Sequence, residues 1–140
     1  MMKLMDWKKC EKGFIRNVEV DSERINSIKE KALLRMNLID SLVVDEKTVS
    51  FIVEGYYEVI KELLVAYLLQ NGLRAKNHQC LISYFSRENP DLEHETMIIA
   101  KMSYYRNRLD YYGETIPTTF FDENKSEFKN IIKQLQLFTK

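Results

Sequence analysis

Four glycines and two prolines are all that interrupt 140 residues. A chain with so few breakers is driven toward long helices, because Gly and Pro are the strongest local signals that end one. The longest unbroken stretch, 47–71, shows what this allows. Phe51, Ile52, Gly55, Val59, Ile60, Leu63, Leu64, Tyr67 and Leu68 recur at steps of three and four, which marks one broad face of a helix. Glu58, Lys61 and Glu62 fall on the opposite side. Val49, Phe51, Ile52 and Val53 favour strands locally, but propensity in one turn is weak against a helical pattern that continues beyond it. Gly72, after Asn71, supplies the stop.

The same reading gives four further helices. Asp21 and Ser22 offer N-cap oxygens, and Ile25, Ile28, Ala32, Met36 and Ile39 follow at helical spacing. Leu33 and Leu34 widen that stripe, and the helix is expected to end near Leu42, with Asp45 opening the next one. Residues 77–86 form a short helix capped by Asn77, with Leu81, Ile82 and Phe85 inward. Glu88-Asn89-Pro90-Asp91 is a break. A second long helix runs from Leu92 to Tyr112, with Met97, Ile98, Lys101, Tyr105, Leu109 and Tyr112 in its stripe. Gly113 ends it and Pro117 bars any continuation. The last helix lies within Thr118–Lys140, capped by Asp122, with Phe128, Ile131, Ile132, Leu135 and Phe138 buried. Residues 1–20 have no clear period and read as an irregular arm with a turn near Gly13. The expectation is an all-α fold, an up-and-down bundle of four to five helices, with an arm at 1–20 and a single helical domain at 21–140.

Charge and cysteine usage exclude several classes of function. Lys+Arg and Asp+Glu are 21 each, a net charge of zero. Proteins that coat nucleic acid or anionic membrane through bulk charge carry a basic excess, so any such binding here rests on a local patch. Lys3, Asp6, Lys8 and Lys9 leave no apolar core for a leader. The most apolar run, Leu63–Leu69, is too short to span a bilayer. A soluble, cytoplasmic chain with no membrane partner is expected. Cys10 and Cys80 form neither a CxxC pair nor a metal cluster with His78 or His94, and are expected to be reduced, partly buried thiols. There is no glycine-rich phosphate loop, HExxH or serine elbow. Glu93 and Glu95 flank His94 at no metal-ligand spacing, and His94 is expected to be exposed. No cofactor or metal site is expected.

The chemistry is concentrated in Tyr104-Tyr105-Arg106-Asn107-Arg108-Leu109-Asp110-Tyr111-Tyr112-Gly113. On a helix, Arg106 and Asp110 share one face, as do Asn107 and Tyr111. Arg106–Asp110 is then either an ordinary intrahelical ion pair with packing tyrosines around it, or part of a site. Arginine is a planar fork suited to phosphate, and tyrosines stack on bases. Arg74, Lys76 and His78 form a second basic spot at the start of a helix, an end that favours anions. His78 alone reads equally as a structural hydrogen-bonding group. If the two patches converge, they make one phosphate-binding surface. Gly55 inside a helix costs about 1 kcal/mol relative to Ala, so close approach of another helix is expected there. Tyr56 and Tyr57 are expected to be core and interface residues and not a cofactor box.

The segment GYYEVIKELLVAYLLQNGLRAKNH and the helix ending YYRNRLDYYG resemble the archaeal branch of the HEPN family over roughly residues 20–138. The stretch around Trp7, Cys10 and Gly13 resembles the N-terminal extension of those members. The resemblance implies a four- to five-helix bundle that dimerises through its long helices and acts on nucleotides or RNA. Many members are the toxin half of a toxin–antitoxin pair with a minimal nucleotidyltransferase. Active members are metal-independent ribonucleases whose motif is an Arg, a polar residue, a few spacers and a His. There the His takes the 2′-hydroxyl proton and the Arg stabilises charge on phosphorus. Here Arg106 and Asn107 match the first half, while Tyr111, Tyr112 and Gly113 stand where the His would fall. Tyrosine, with a pKa near ~10, is a poor base at neutral pH. Asp110 beside Arg106 would be a weakened one. His78 is the other candidate base.

The expected function is therefore a homodimer that binds a nucleotide or RNA without cutting it efficiently. Its cleft would be lined by Arg106, Asn107, Asp110 and Tyr111, with Arg74, Lys76 and His78. The alternatives are a ribonuclease toxin with a variant site using Arg106, Asp110 or His78, and a non-catalytic partner of a nucleotidyltransferase.

Overall fold

The computed structural model describes residues 4–139. Residues 1–3 of the expected arm, and Lys140 at the end of the expected last segment, lie outside the described residues. In chain order the elements are α1 (Trp7–Gly13), β1 (Ile15–Asn17), α2 (Ser22–Asp40), α3 (Val49–Gln70), β2 (Leu73–Ala75), α4 (His78–Glu88), a 3-10 turn (Pro90–Leu92), α5 (Glu93–Tyr112) and α6 (Thr118–Phe138). The fold is all-α. No described helix is long and apolar enough to cross a membrane.

α3 is the central element and packs on α2, α4, α5 and α6. Its residues are buried on most of its circumference, including Tyr56, Tyr57, Ile60, Leu63, Leu64 and Leu68. A helix apolar nearly all round belongs in a core. Tyr57, Phe85 and Phe128 are the largest fully buried side chains of the core, each contributing about 2 kcal/mol by burial. Gly55 is where α2 closes on α3: a Cβ there would run into Cδ1 and Cγ1 of Ile39. The helix ends follow local chemistry. Asp21 accepts from the Arg24 N–H at 3.1 Å, and Asn77 from the Cys80 N–H at 2.9 Å. Asp45 accepts from the Lys47 and Thr48 N–H groups just ahead of α3. Gly72 and Gly113 hold left-handed φ of 73° and 65°, a conformation that favours glycine at helix C-termini.

Several expectations need correction. The arm is not irregular. α1 packs on α4, and β1 pairs antiparallel with β2, placing Arg16 opposite Arg74. Cys10 and Cys80 are not reduced thiols but a disulfide, fully buried, that ties the arm to α4 across a separation of 70 residues. Asp122 does not cap α6, which begins at Thr118 behind Pro117. Leu33, Leu34, Phe51, Met97 and Tyr112 are exposed. For α2 the reason is geometric. Its extensive packing is against α3 alone, so a narrow stripe of Ile25, Ala32 and Ile39 suffices.

Candidate functional site

Glu54, Glu58 and Lys61 stand four and three residues apart on α3, so they share one edge of the helix. That edge is not solvated: all three are half-buried, and α5 packs beside it. Arg106 reaches across from α5. Its Nη2 lies 3.4 Å from Glu58 Oε1, and its Nε lies 3.0 Å from Asp110 Oδ2 one turn further along α5. Glu58 also pairs with Lys61 at 2.6 Å. Asn107 Oδ1 accepts weakly from Arg106 Nη1 at 3.4 Å. Arg106 thus sits between two carboxylates, and the intrahelical ion pair read from the sequence forms.

A third carboxyl group completes this cluster. Glu54 hydrogen-bonds Asp110, and its pKa is pushed up to about 7. Burial is the largest cause, followed by the hydrogen bond and charge of Asp110, with Arg106 opposing and Glu58 adding. Burial disfavours the ionised carboxylate, and a neighbouring anion does the same. Behind the cluster the Tyr57 hydroxyl donates to Ser103 Oγ at 3.3 Å, and burial raises the Tyr57 pKa.

His78 opens α4 on the other side of Lys61. Its ring lies obliquely on Tyr57, with centroids 6.3 Å apart. Burial lowers its pKa, and the charges of Lys61 and Arg106 lower it further, with Glu58 opposing. These influences favour the neutral imidazole. His78 and Arg106 therefore both lie within electrostatic reach of Glu58.

Next to His78 lies a cavity of about 260 Å³. Its polar lining comes from Arg24 of α2, Lys61 of α3, and Arg74, Lys76, Asn77 and His78 at the β2–α4 junction. Val65, Leu68, Leu69, Leu73, Ala75 and Leu81 complete its walls, and no carboxylate lines it. The arm holds this junction in place: the Lys76 N–H donates to the Phe14 carbonyl at 2.8 Å, and the disulfide fixes Cys80.

The residues named from sequence thus divide. Arg74, Lys76 and His78 line the cavity, while Arg106, Asn107 and Asp110 lie in the α3–α5 cluster. Tyr111 is 76% exposed at the end of α5 and does not line the cavity. Beside it Arg108 stacks on Tyr112 at 4.3 Å and pairs with Glu114. His94 is exposed, 3.7 Å from Glu127. Sequence reasoning missed Arg24, Glu54, Glu58 and Lys61 as site residues. The spacing of the last three was the available signal, since it places them on one helix edge. Among the described residues, no group of three or more His, Cys, Asp or Glu side chains is placed to hold a metal ion.

Comparison with protein-family models, with curated proteins and with solved structures finds no match for this chain. The functional reading therefore rests on geometry and chemistry.

Proposed function

We propose that this protein is a HEPN-like homodimer that binds a nucleotide or RNA and does not cut it efficiently. The observation that carries the reading is the meeting of His78, Lys61 and Arg106, from three helices, around Glu58. His78 and Lys61 also line the neighbouring cavity with Arg74 and Lys76, so cations from several segments lie within reach of one phosphate group. The exposed Tyr111 and Tyr112 rings offer stacking surface for bases.

Weak cutting follows from the same contacts. The arginine that would stabilise charge on phosphorus is already compensated by Glu58 and Asp110. The candidate base His78 stands beside the cavity at the start of α4 and not on α5. Dimer formation is supported by α2, whose Leu34 and Leu38 lie exposed one turn apart. An unpaired apolar stripe of this kind suits a second copy of the chain.

The test is fluorescence anisotropy with a short single-stranded RNA, run beside a cleavage assay in EDTA. Binding without cleavage is expected, with affinity falling as salt rises. Metal-independent cleavage lost in His78→Ala would instead establish the variant ribonuclease. Absence of both binding and cleavage would favour a non-catalytic partner of a nucleotidyltransferase.

A further inference from the structure

We propose that the cavity at the β2–α4 junction is a site for a phosphate monoester, the terminal phosphate of a nucleotide or of an RNA 5′ end. The choice of ligand rests on the nucleotide or RNA reading above; the phosphate chemistry stands on the cavity itself.

The first argument is charge without compensation. Arg24 of α2, Lys61 of α3, and Arg74 and Lys76 of the β2–α4 junction come from three segments of the chain and converge on one concavity. Lys61 is paired with Glu58. Among the described residues, Arg24, Arg74 and Lys76 form no ion pair. Gathering like charges with no counter-charge costs free energy, which a bound anion returns. A chain of zero net charge has carboxylates enough to neutralise this spot and places none in its lining.

The second argument is the form of the walls. The leucine-rich lining excludes water from one side of the cavity, which strengthens charge interactions there. α4, 11 residues long, starts at the cavity with its positive end. The Asn77 cap satisfies the Cys80 N–H. His78, also in the lining, offers a ring nitrogen as a hydrogen-bonding group. The junction is held by the ladder of β1 with β2 and by the disulfide, so little ordering is needed on binding. The choice of a monoester follows from charge. Its second negative charge at neutral pH answers three unpaired cations better than the single charge of an internal diester.

The experiment compares one short RNA carrying either a 5′-phosphate or a 5′-hydroxyl, with AMP and inorganic phosphate as separate titrants. The 5′-phosphorylated RNA is expected to bind about ten-fold tighter, the worth of one or two charge-assisted hydrogen bonds. The Arg74→Ala/Lys76→Ala variant should erase that preference, while Arg106→Ala should keep it. Both replaced side chains are exposed and carry no ion pair, and an unchanged melting temperature confirms that the variant folds. A preference shown only by RNA identifies an RNA end, and AMP binding lost in the double variant identifies a free nucleotide; either upholds the site. Equal affinity for the two RNAs with no AMP binding overturns it, as does a preference that survives the double variant. If no RNA binds at all, the functional reading fails and inorganic phosphate decides the cavity: binding lost in the double variant upholds a phosphate site, and no binding overturns it.

Discussion

The cavity at the β2–α4 junction and the cluster between α3 and α5 share Lys61's surroundings, yet their electrostatics are opposite. In the cluster, Arg106 faces Glu58 and Asp110, and Glu54 carries a carboxyl group whose pKa reaches about 7. Its charges answer one another. In the cavity, Arg24, Arg74 and Lys76 form no ion pair among the described residues. Residue type alone does not mark a binding site; what matters is whether the charge is already satisfied. Arg106 lies in the segment with the most suggestive sequence, and its charge is already balanced by Glu58 and Asp110.

The largest expected effect separates the regions by their support. Cys10→Ser/Cys80→Ser removes the tie between arm and α4, and closing a loop of 70 residues contributes about 4 kcal/mol in the chain-entropy model. Denaturant titration should show that loss. Hydrogen exchange should show it unevenly, with β1, β2 and the start of α4 losing protection before α3 and α5. Uniform loss would mean that the cavity wall is not a separate unit.

The cluster is broken most directly by Arg106→Ala. It leaves Glu58, Asp110 and Glu54 together without their shared cation, an expected cost of about 2 kcal/mol in thermal or chemical unfolding. A change within experimental error would show that Arg106 is free enough to serve a ligand, and the contrast would fail.

A smaller effect has a definite sign in pH. Glu54 has a raised folded pKa, so between its ordinary value of 4.5 and about 7 the folded state holds more protons than the unfolded state. Stability from this group falls as pH rises through that window and is flat above it. Glu54→Gln should therefore stabilise the protein at pH 8 relative to wild type, by about 1 kcal/mol after allowance for solvent screening. The gain should vanish near pH 4. A gain that does not depend on pH would place the effect outside titration.

The smallest effect on stability belongs to the cavity. Lys76→Ala, exposed and unpaired, should change unfolding by less than ~0.5 kcal/mol while weakening phosphate binding. A large loss of stability would mean that Lys76 has an intramolecular partner after all.

Much of the fold was legible because its signals are local. Asp21, Asn77, Gly72 and Gly113 mark helix ends by chemistry confined to one turn, and Gly55 announced the close approach of Ile39. The three-residue strands β1 and β2 are too short to show alternation, and they form because the arm lies against the β2–α4 junction. The disulfide joins residues 70 positions apart, a proximity that no spacing rule reveals. Leu33 and Leu34 were read as core because periodicity cannot tell how many neighbours a helix has. The site was half legible for the same reason. Arg74, Lys76 and His78 are close in sequence, whereas Arg24 arrives from another helix. Glu58 and Lys61 looked like a solvated face until α5 was seen beside them.

The central claim is that the cavity takes a phosphate while the α3–α5 cluster does not depend on one. The most direct measurement is an NMR titration of the two histidine side chains with and without inorganic phosphate. His78 has a pKa held down by burial, Lys61 and Arg106. A bound anion should raise it and leave exposed His94 unmoved, and the Arg74→Ala/Lys76→Ala variant should abolish the rise. A His78 titration indifferent to phosphate, or shifted only as much as that of His94, would contradict the account.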